Sequence, residues 1–370
     1  MKIVAVAGGV GGARFVRGLR RFCDSLTASR SDPQEPHHIT VIGNTGDDIT
    51  LFGLRVCPDL DTLAYTLGGG IDESQGWGRV GDSRVVQGEL AAYGAEPQWF
   101  GLGDLDMATH IARSQWLGQG LTLSQVTARI AERWGLPAAD ITLLPMSDEP
   151  VETHVVIDVE ESQGAQQAGQ TAHAPLGAND RPADGDDAPE QMAVHFQQWW
   201  VGMGARPQAH RFTAVGLDRA RPAPGVLEAI READVVLLPP SNPVVSIGIV
   251  LGVPGVRAAL RDTVAPVVGV SPIVGGAPVR GHADACLAAL GLPCTPEAVA
   301  GLYRDFLDGW LVHDGDAGAL DDTTGTAAEE LQGIEVRAAP LLMRDAESAA
   351  ALAGAALTFA TDLRGQRGRL

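Results

Sequence analysis

Short runs of aliphatic and β-branched residues recur along the chain, each broken by glycine, proline or short polar residues. The first, Lys2-Ile-Val-Ala-Val-Ala7, is almost wholly apolar, the pattern of a strand covered on both faces. It stops at Gly8-Gly-Val-Gly-Gly-Ala-Arg14. Beyond that turn Phe15, Val16, Leu19, Phe22, Cys23 and Leu26 recur at helical spacing. Residues 30–37 are polar, carry Pro33 and Pro36, and predict a loop; His38-Ile-Thr-Val-Ile42 predicts a second strand. Strand, helix and strand in this order make a right-handed parallel βαβ unit. The fold class that follows is α/β: a Rossmann-like parallel sheet flanked by helices.

The same logic returns later. Asp234-Val-Val-Leu-Leu238 and Pro266-Val-Val-Gly-Val-Ser271 read as buried strands, each ending in a proline- and glycine-rich loop. Ile141–Leu144, Trp310–His313 and Val336–Met343 are further short strands, and Val151–Asp158 alternates as a strand. Met192–Trp200 reads as the returning strand of a hairpin. Helical spacing predicts helices over 106–116, 122–134, 226–233, 253–261, 296–308 and 346–362. The chain is therefore read as a single domain over 1–370, with a mainly helical subdomain at 60–140. Residues 160–190 carry almost no large apolar side chain and read as a mobile or disordered insertion. Residues 71–84, rich in glycine with Trp77, Arg79 and Arg84, read either as a loop that closes over a ligand or as an ordinary surface loop.

Composition narrows the function. The net charge of −19 and a pI near 4.8 speak against a general nucleic-acid surface and against anionic membranes. No apolar run reaches membrane-spanning length and the chain opens on a core strand, so a cytoplasmic protein is expected. The 4 cysteines, Cys23, Cys57, Cys286 and Cys294, show no paired spacing and read as reduced packing residues.

Candidate chemistry gathers where strands end, the edge on which open parallel sheets bind ligands. The glycine turn opens a helix, so its N–H groups can approach phosphate oxygens. The second strand ends in Asn44-Thr-Gly-Asp-Asp48, and Cys57-Pro-Asp-Leu-Asp61 follows. If the Pro58 segment is extended, Asp59 and Asp61 share one side. With Asp47 and Asp48 they form an acidic set suited to Mg²⁺ beside a phosphate. Asp61 reads equally well as the N-cap of a following helix. Ser241, Asn242 and Ser246 in the later strand-end loop offer hydroxyl, amide and backbone contacts. His110, three residues before Arg113, reads as a satisfied, partly buried histidine. His195 and the neighbouring tryptophans read as hairpin packing. The sequence has no GxSxG elbow, HExxH pair or GxxxxGK[ST] loop. Phosphoryl or nucleotidyl transfer, which needs positioning and charge neutralisation more than a protein nucleophile, fits this inventory.

The glycine turn and the two acidic motifs are followed by Leu102-Gly-Asp-Leu-Asp-Met-Ala-Thr-His110 and Leu144-Pro-Met-Ser-Asp148. His195-Phe-Gln-Gln-Trp-Trp200, Pro240-Ser-Asn-Pro-Val-Val-Ser-Ile-Gly248 and Ser271-Pro-Ile-Val-Gly275 complete the order. Together they resemble the CofD/FbiA family of coenzyme F420 biosynthesis, from the first strand to the last helix. The resemblance implies a Mg²⁺-dependent transferase. Its substrates would be a guanosine diphosphate-activated three-carbon acid and the deazaflavin Fo, whose terminal ribityl hydroxyl attacks phosphorus while GMP leaves. The stretches Leu67–Asp72 and Trp310–Asp316 resemble the actinobacterial branch, which implies a phosphoenolpyruvate-derived donor in place of a 2-phospholactate one. By the same resemblance Gly8, Gly9, Gly11 and Gly12 would cradle the diphosphate, with Ser241 and Asn242 on the nucleotide side. Asp47 and Asp61 would hold the metal, and Asp48 would position the Fo hydroxyl. Met146, Ser147 and Asp148 would line the deazaflavin or guanine pocket. A homodimer is the default assembly.

Two other classes compete. A non-catalytic sugar-nucleotide-binding regulator of the YvcK-like type shares the glycine turn and the Asn44–Asp48 loop, but lacks the Cys57–Asp61 and Gly103–His110 motifs. A dinucleotide-dependent dehydrogenase would explain Gly9-Val-Gly11, yet Arg14 stands where its third glycine belongs.

Overall fold

The structure, a computed structural model, describes residues 1–28, 37–166, 189–317 and 329–367. Its strands in chain order are β1 (Lys2–Ala7), β2 (His38–Gly43), β3 (Ile49–Leu51), β4 (Leu54–Val56), β5 (Ile141–Pro145), β6 (Glu152–Asp158) and β7 (Gln191–His195). They continue with β8 (Arg211–Val215), β9 (Val235–Leu238), β10 (Val267–Val270), β11 (Ile273–Val274), β12 (Ala277–Pro278), β13 (Gly309–His313) and β14 (Glu335–Ala339). Seven of them form one sheet in the order β14-β13-β10-β9-β1-β2-β5, with every neighbouring pair parallel. The chain builds outward from β1 to β2 and β5, then returns to place β9 on the other side of β1. Strand order reverses between β1 and β9, so the crevice beyond their carboxyl ends is the expected ligand position.

The apolar strands serve two layers. Ile3, Ala5, Val41, Leu237 and Val270 pack with Phe15, Val16, Leu63, Val126 and Leu357. Val4, Val6, Ile42, Val236 and Leu238 face the opposite way, onto Val226, Ile230, Val250 and Leu260. Neighbouring residues thus enter different cores, which is why these strands show no polar alternation. The first layer carries α1 (Gly9–Ala28), α2 (Pro58–Leu67), α4 (Asp104–Gly118), α5 (Leu123–Arg133) and the closing helix Ala346–Arg367, while the solvent-facing α3 (Val85–Ala92) lies outside it and packs through Leu90 on Leu102 and Met107. Helix α5 starts at a Thr122–Gln125 capping box. No single described helix is long and apolar enough to cross a membrane. All four cysteines are free.

Several elements depart from the sequence reading. The Pro58 segment is helical, because proline at the first helical position removes no needed N–H and presets φ. Cys57 is its N-cap, so Asp61 lies inside the first turn and caps nothing. Residues two apart on a helix point to different sides, so Asp59 and Asp61 diverge. The hairpin strand ends at His195; Gln198–Gly202 turn into a π-helical segment that buries Trp199. The helix expected over 253–261 begins only at Val256 and runs to Asp262, a separate short helix, Gly248–Gly252, precedes it, and the one expected over 296–308 stops at Gly301. Strand β8 and the β3–β4 hairpin had no alternation strong enough to be seen. Residues Val159–Gln166 are helical, so order extends into the expected insertion; 167–188 lie outside the described residues, as does most of the 30–37 loop.

Candidate active site

A cavity of about 300 Å³ opens at the switch point. The β1 turn at Gly8–Gly11, the loop after β9 at Pro240–Asn242 and Ser271 after β10 supply its sheet edge. Ser241 joins the first two: its Oγ donates to the Gly8 carbonyl at 2.8 Å and accepts the Gly8 N–H at 3.2 Å. The glycines owe their identity to this closeness. A Cβ on Gly11 would stand 2.8 Å from the Pro240 carbonyl oxygen, and one on Gly12 would stand 2.6 Å from Ser241 Oγ. Gly9, at φ +63°, alone of the four has open space beside its Cα.

Four aspartates and a histidine form the floor: Asp47, Asp59, Asp61, Asp106 and His110 all line the cavity. Asp47 and Asp59 are a pair. Asn44 Nδ2 donates to Asp59 at 2.9 Å and to Asp47 at 3.3 Å, while Gln197 Nε2 donates to the far oxygen of Asp47 at 3.4 Å. Burial, then repulsion from Asp59, pushes the Asp47 carboxyl well above its usual range. Burial raises Asp59 to about 6, against the pull of Asn44 and of the Gly9 N–H. No guanidinium or ammonium offsets this pair among its described contacts.

Asp61 is held differently. Its Oδ1 takes an ion pair from Arg113, a side chain only 1% exposed. Arg113 Nη1 also lies 3.1 Å from His110 Nδ1, and His110 Nε2 lies 3.5 Å from Asp106. Tyr65 donates to Asp106 at 2.6 Å. The donor atoms of Asp61, Asp106 and His110 lie within 4.8 Å of one another, and Asp61 Oδ2 has no hydrogen-bond partner among the described residues. Helix α4 places this group: Asp82 accepts the N–H groups of Leu105 and Asp106 at 2.7 and 3.0 Å and fixes its first turn. His110 is fully, not partly, buried.

The other expected site residues lie elsewhere. Asp48 is completely buried behind the floor, 3.4 Å from Arg55, and does not line the cavity. Burial raises it to about 7, tempered by Arg55. Met146 packs in the second core, Ser147 bonds Glu149, and Asp148 receives Ser124 at the start of α5, all away from the cavity. Asn242 lines the cavity, but its carbonyl caps Val244 and Val245 at 2.9 and 3.2 Å. His195 supports the floor from below. Its Nε2–H donates to the Asp48 carbonyl at 3.2 Å, and Nδ1 accepts the N–H of Gln197, the residue that holds Asp47.

The walls are apolar and aromatic: Trp77, Phe100, Phe196, Trp200 and Val279. Trp77 comes from the 71–84 loop. Arg17, which pairs with Glu73, and Arg280, whose Nη2 donates to the Gln75 carbonyl at 2.8 Å, tie that loop in place, and Ile71 bridges Arg79 within it. Asn44, Gln197, Asp106, Trp200 and Arg280 are cavity or floor residues that the sequence did not single out. Asn44, Asp106, Gln197 and Trp200 stood inside quoted motifs; Arg280 carries no local signal.

A buried carboxylate pair, a glycine turn that presents its backbone and an apolar, aromatic wall line one concave pocket at the switch point of the α/β sheet, the place and form of an enzyme's ligand site. The family model described as 2-phospho-L-lactate transferase CofD matches residues 3–341. A phosphoenolpyruvate transferase of Thermobifida fusca is 52% identical over 98% of this chain and 99% of its own. Proteins of the same name are 51% identical in Streptomyces griseus (98% and 100% covered) and 47% identical in Mycolicibacterium smegmatis (97% and 99%). A solved Bacillus halodurans protein, BH3568, shares the fold at TM-score 0.55 and 16% identity, covering 96% of this chain and 99% of that one. This chain belongs to the CofD family and is a phosphoryl-group transferase.

Proposed function

We propose that the protein acts in coenzyme F420 biosynthesis and transfers an enolpyruvyl-phosphate group from a guanosine diphosphate-activated donor to the terminal ribityl hydroxyl of Fo. The observation that carries this reading is the Asp47–Asp59 pair set between the Gly8–Gly11 turn and the aromatic wall. The names of the relatives favour phosphoenolpyruvate over 2-phospholactate. In the reaction a bond forms between the hydroxyl oxygen and the phosphorus that bears the acid; the bond from that phosphorus to the GMP oxygen breaks.

Mg²⁺ fits the residues present. Two buried carboxylates that share one amide and lack a cationic partner are oxygen ligands for a hard ion. Asp47 and Asp59 would hold it, replacing the Asp47–Asp61 pairing expected from sequence. When bound, it would supply charge neutralisation on phosphate oxygens. Arg113 fixes Asp61 so that its free Oδ2 can accept the hydrogen bond of the attacking hydroxyl, the role expected of Asp48. The aromatic wall gives a deazaflavin ring a stacking surface and excludes water.

A coupled assay tests this. It contains Fo, Mg²⁺, GTP, the guanylyltransferase that makes the donor, and either phosphoenolpyruvate or 2-phospholactate. A product of dehydro-F420-0 mass with phosphoenolpyruvate alone supports the reading. Product with 2-phospholactate alone keeps the transferase and reverses the donor. No product with either, together with sugar-nucleotide binding, moves the protein to the regulator class.

A further inference from the structure

The cavity floor is acidic, whereas the donor of a phosphoryl group is an anion. Among the described residues that line the cavity, Arg280 is the single arginine or lysine. It follows the β11–β12 hairpin and faces the start of α1. A Cβ built on Gly76 would stand 2.9 Å from Val10 Cγ1 and 3.0 Å from Arg280 Nη1, so guanidinium, loop and glycine turn meet at one point. Its hydrogen bond is to a backbone carbonyl, that of Gln75, and among the described residues no carboxylate pairs with it. A guanidinium carries several N–H donors in one plane, and a single one is used here. Burial and the nearby Arg14 charge pull its pKa downward, as expected of a cation held without a counter-ion.

We propose that Arg280 is the donor-recognition residue of this site, receiving an anionic oxygen of the activated donor's diphosphate beside the Gly8–Gly11 turn. The inference rests on the transferase reading above and adds the residue that makes an acidic cavity accept an anion. A planar fork suits phosphate oxygens better than a point charge does. The contact exists before the chemistry begins, so it acts on donor affinity and not on turnover.

Calorimetry on the full chain with Mg²⁺ tests it, using guanosine diphosphate and guanosine as probes against wild type, Arg280→Gln and Arg280→Lys. Arg280→Gln should weaken guanosine diphosphate binding about tenfold or more while guanosine binding holds, and Arg280→Lys should recover part of the loss. In the coupled assay the donor KM should rise by a similar factor with kcat within about twofold. Guanosine diphosphate binding within twofold of wild type in Arg280→Gln would overturn the proposal. So would an equal loss for guanosine, which marks a merely structural residue, or no guanosine diphosphate binding by wild type. Absence of product from wild type would sink the transferase reading alone, because the binding comparison still decides Arg280.

Discussion

Two aspartates of one motif carry different burdens. Asp61 neutralises the buried Arg113, so Asp61→Asn leaves that guanidinium without its charge partner. Breaking a buried pair from one side costs roughly 3–5 kcal/mol, and urea unfolding should show a loss of that order. Asp59 has no such partner. Asp59→Asn and Asp47→Asn should keep the fold, lose turnover by about a hundredfold or more, and shift the Mg²⁺ midpoint upward in the coupled assay. An unchanged midpoint in both would remove the metal assignment. Asp59 also sets a pH signature. Its folded value, about 6, exceeds the ordinary 3.8. Between about pH 4 and 6 the folded chain then binds the extra proton, and this group's contribution to stability falls as pH rises. Urea midpoints measured across that window without divalent cation should fall less steeply in Asp59→Asn than in wild type. The sequence placed both residues near the site. It could not separate their partners, because Arg113 and Asn44 lie far from them along the chain or on another element.

At the scale of elements, the glycine turn is a packing device as well as a ligand surface. Gly11→Ala drives a Cβ against the Pro240 carbonyl, a backbone atom that cannot rotate away. Crowding of this kind costs about 1–3 kcal/mol and should part the ends of β1 and β9. Gly9→Ala meets no atom, yet at φ +63° it carries a strain of roughly 1–2 kcal/mol. Denaturant melts should therefore rank Gly11→Ala at or below Gly9→Ala in stability. Equal, near-zero changes in both would show that the turn is loose. The strand–turn–helix was legible because β1 and α1 have different periods with a sharp glycine boundary. The Pro58 helix was misread because proline suits an extended segment and a first helical turn alike, and only packing of Leu60 and Leu63 into the core decides between them.

At the scale of the molecule, the small sheet β7-β6-β8 buttresses the acidic floor through His195 and Gln197. Its hairpin places Asp158 directly opposite Gln191. The helix Val159–Gln166 stands between that pairing and the segment, so a link must run from Gln166 to Pro189; replacing residues 167–188 by a flexible link of about ten glycines and serines should leave fold and turnover within about twofold. Loss of soluble folded protein, read by circular dichroism, would make the segment structural. Helix α4 brings Asp106 and His110, and the loop before it Phe100, to a cavity whose other half comes from the ends of β1 and β9.

The sequence by itself determined the parallel α/β sheet, the edge at which its cavity opens and the acidic, glycine-rich chemistry of that edge. Those follow from local period and from the rule that ligands meet open sheets beyond their carboxyl ends. Only the tertiary structure decided which carboxylates face one another, that Met146, Ser147 and Asp148 stand away from the cavity, and that Arg280, among the described residues, lines it with a guanidinium. These choices depend on contacts between residues distant in the chain, where helix rotation and strand order, not spacing, set who meets whom.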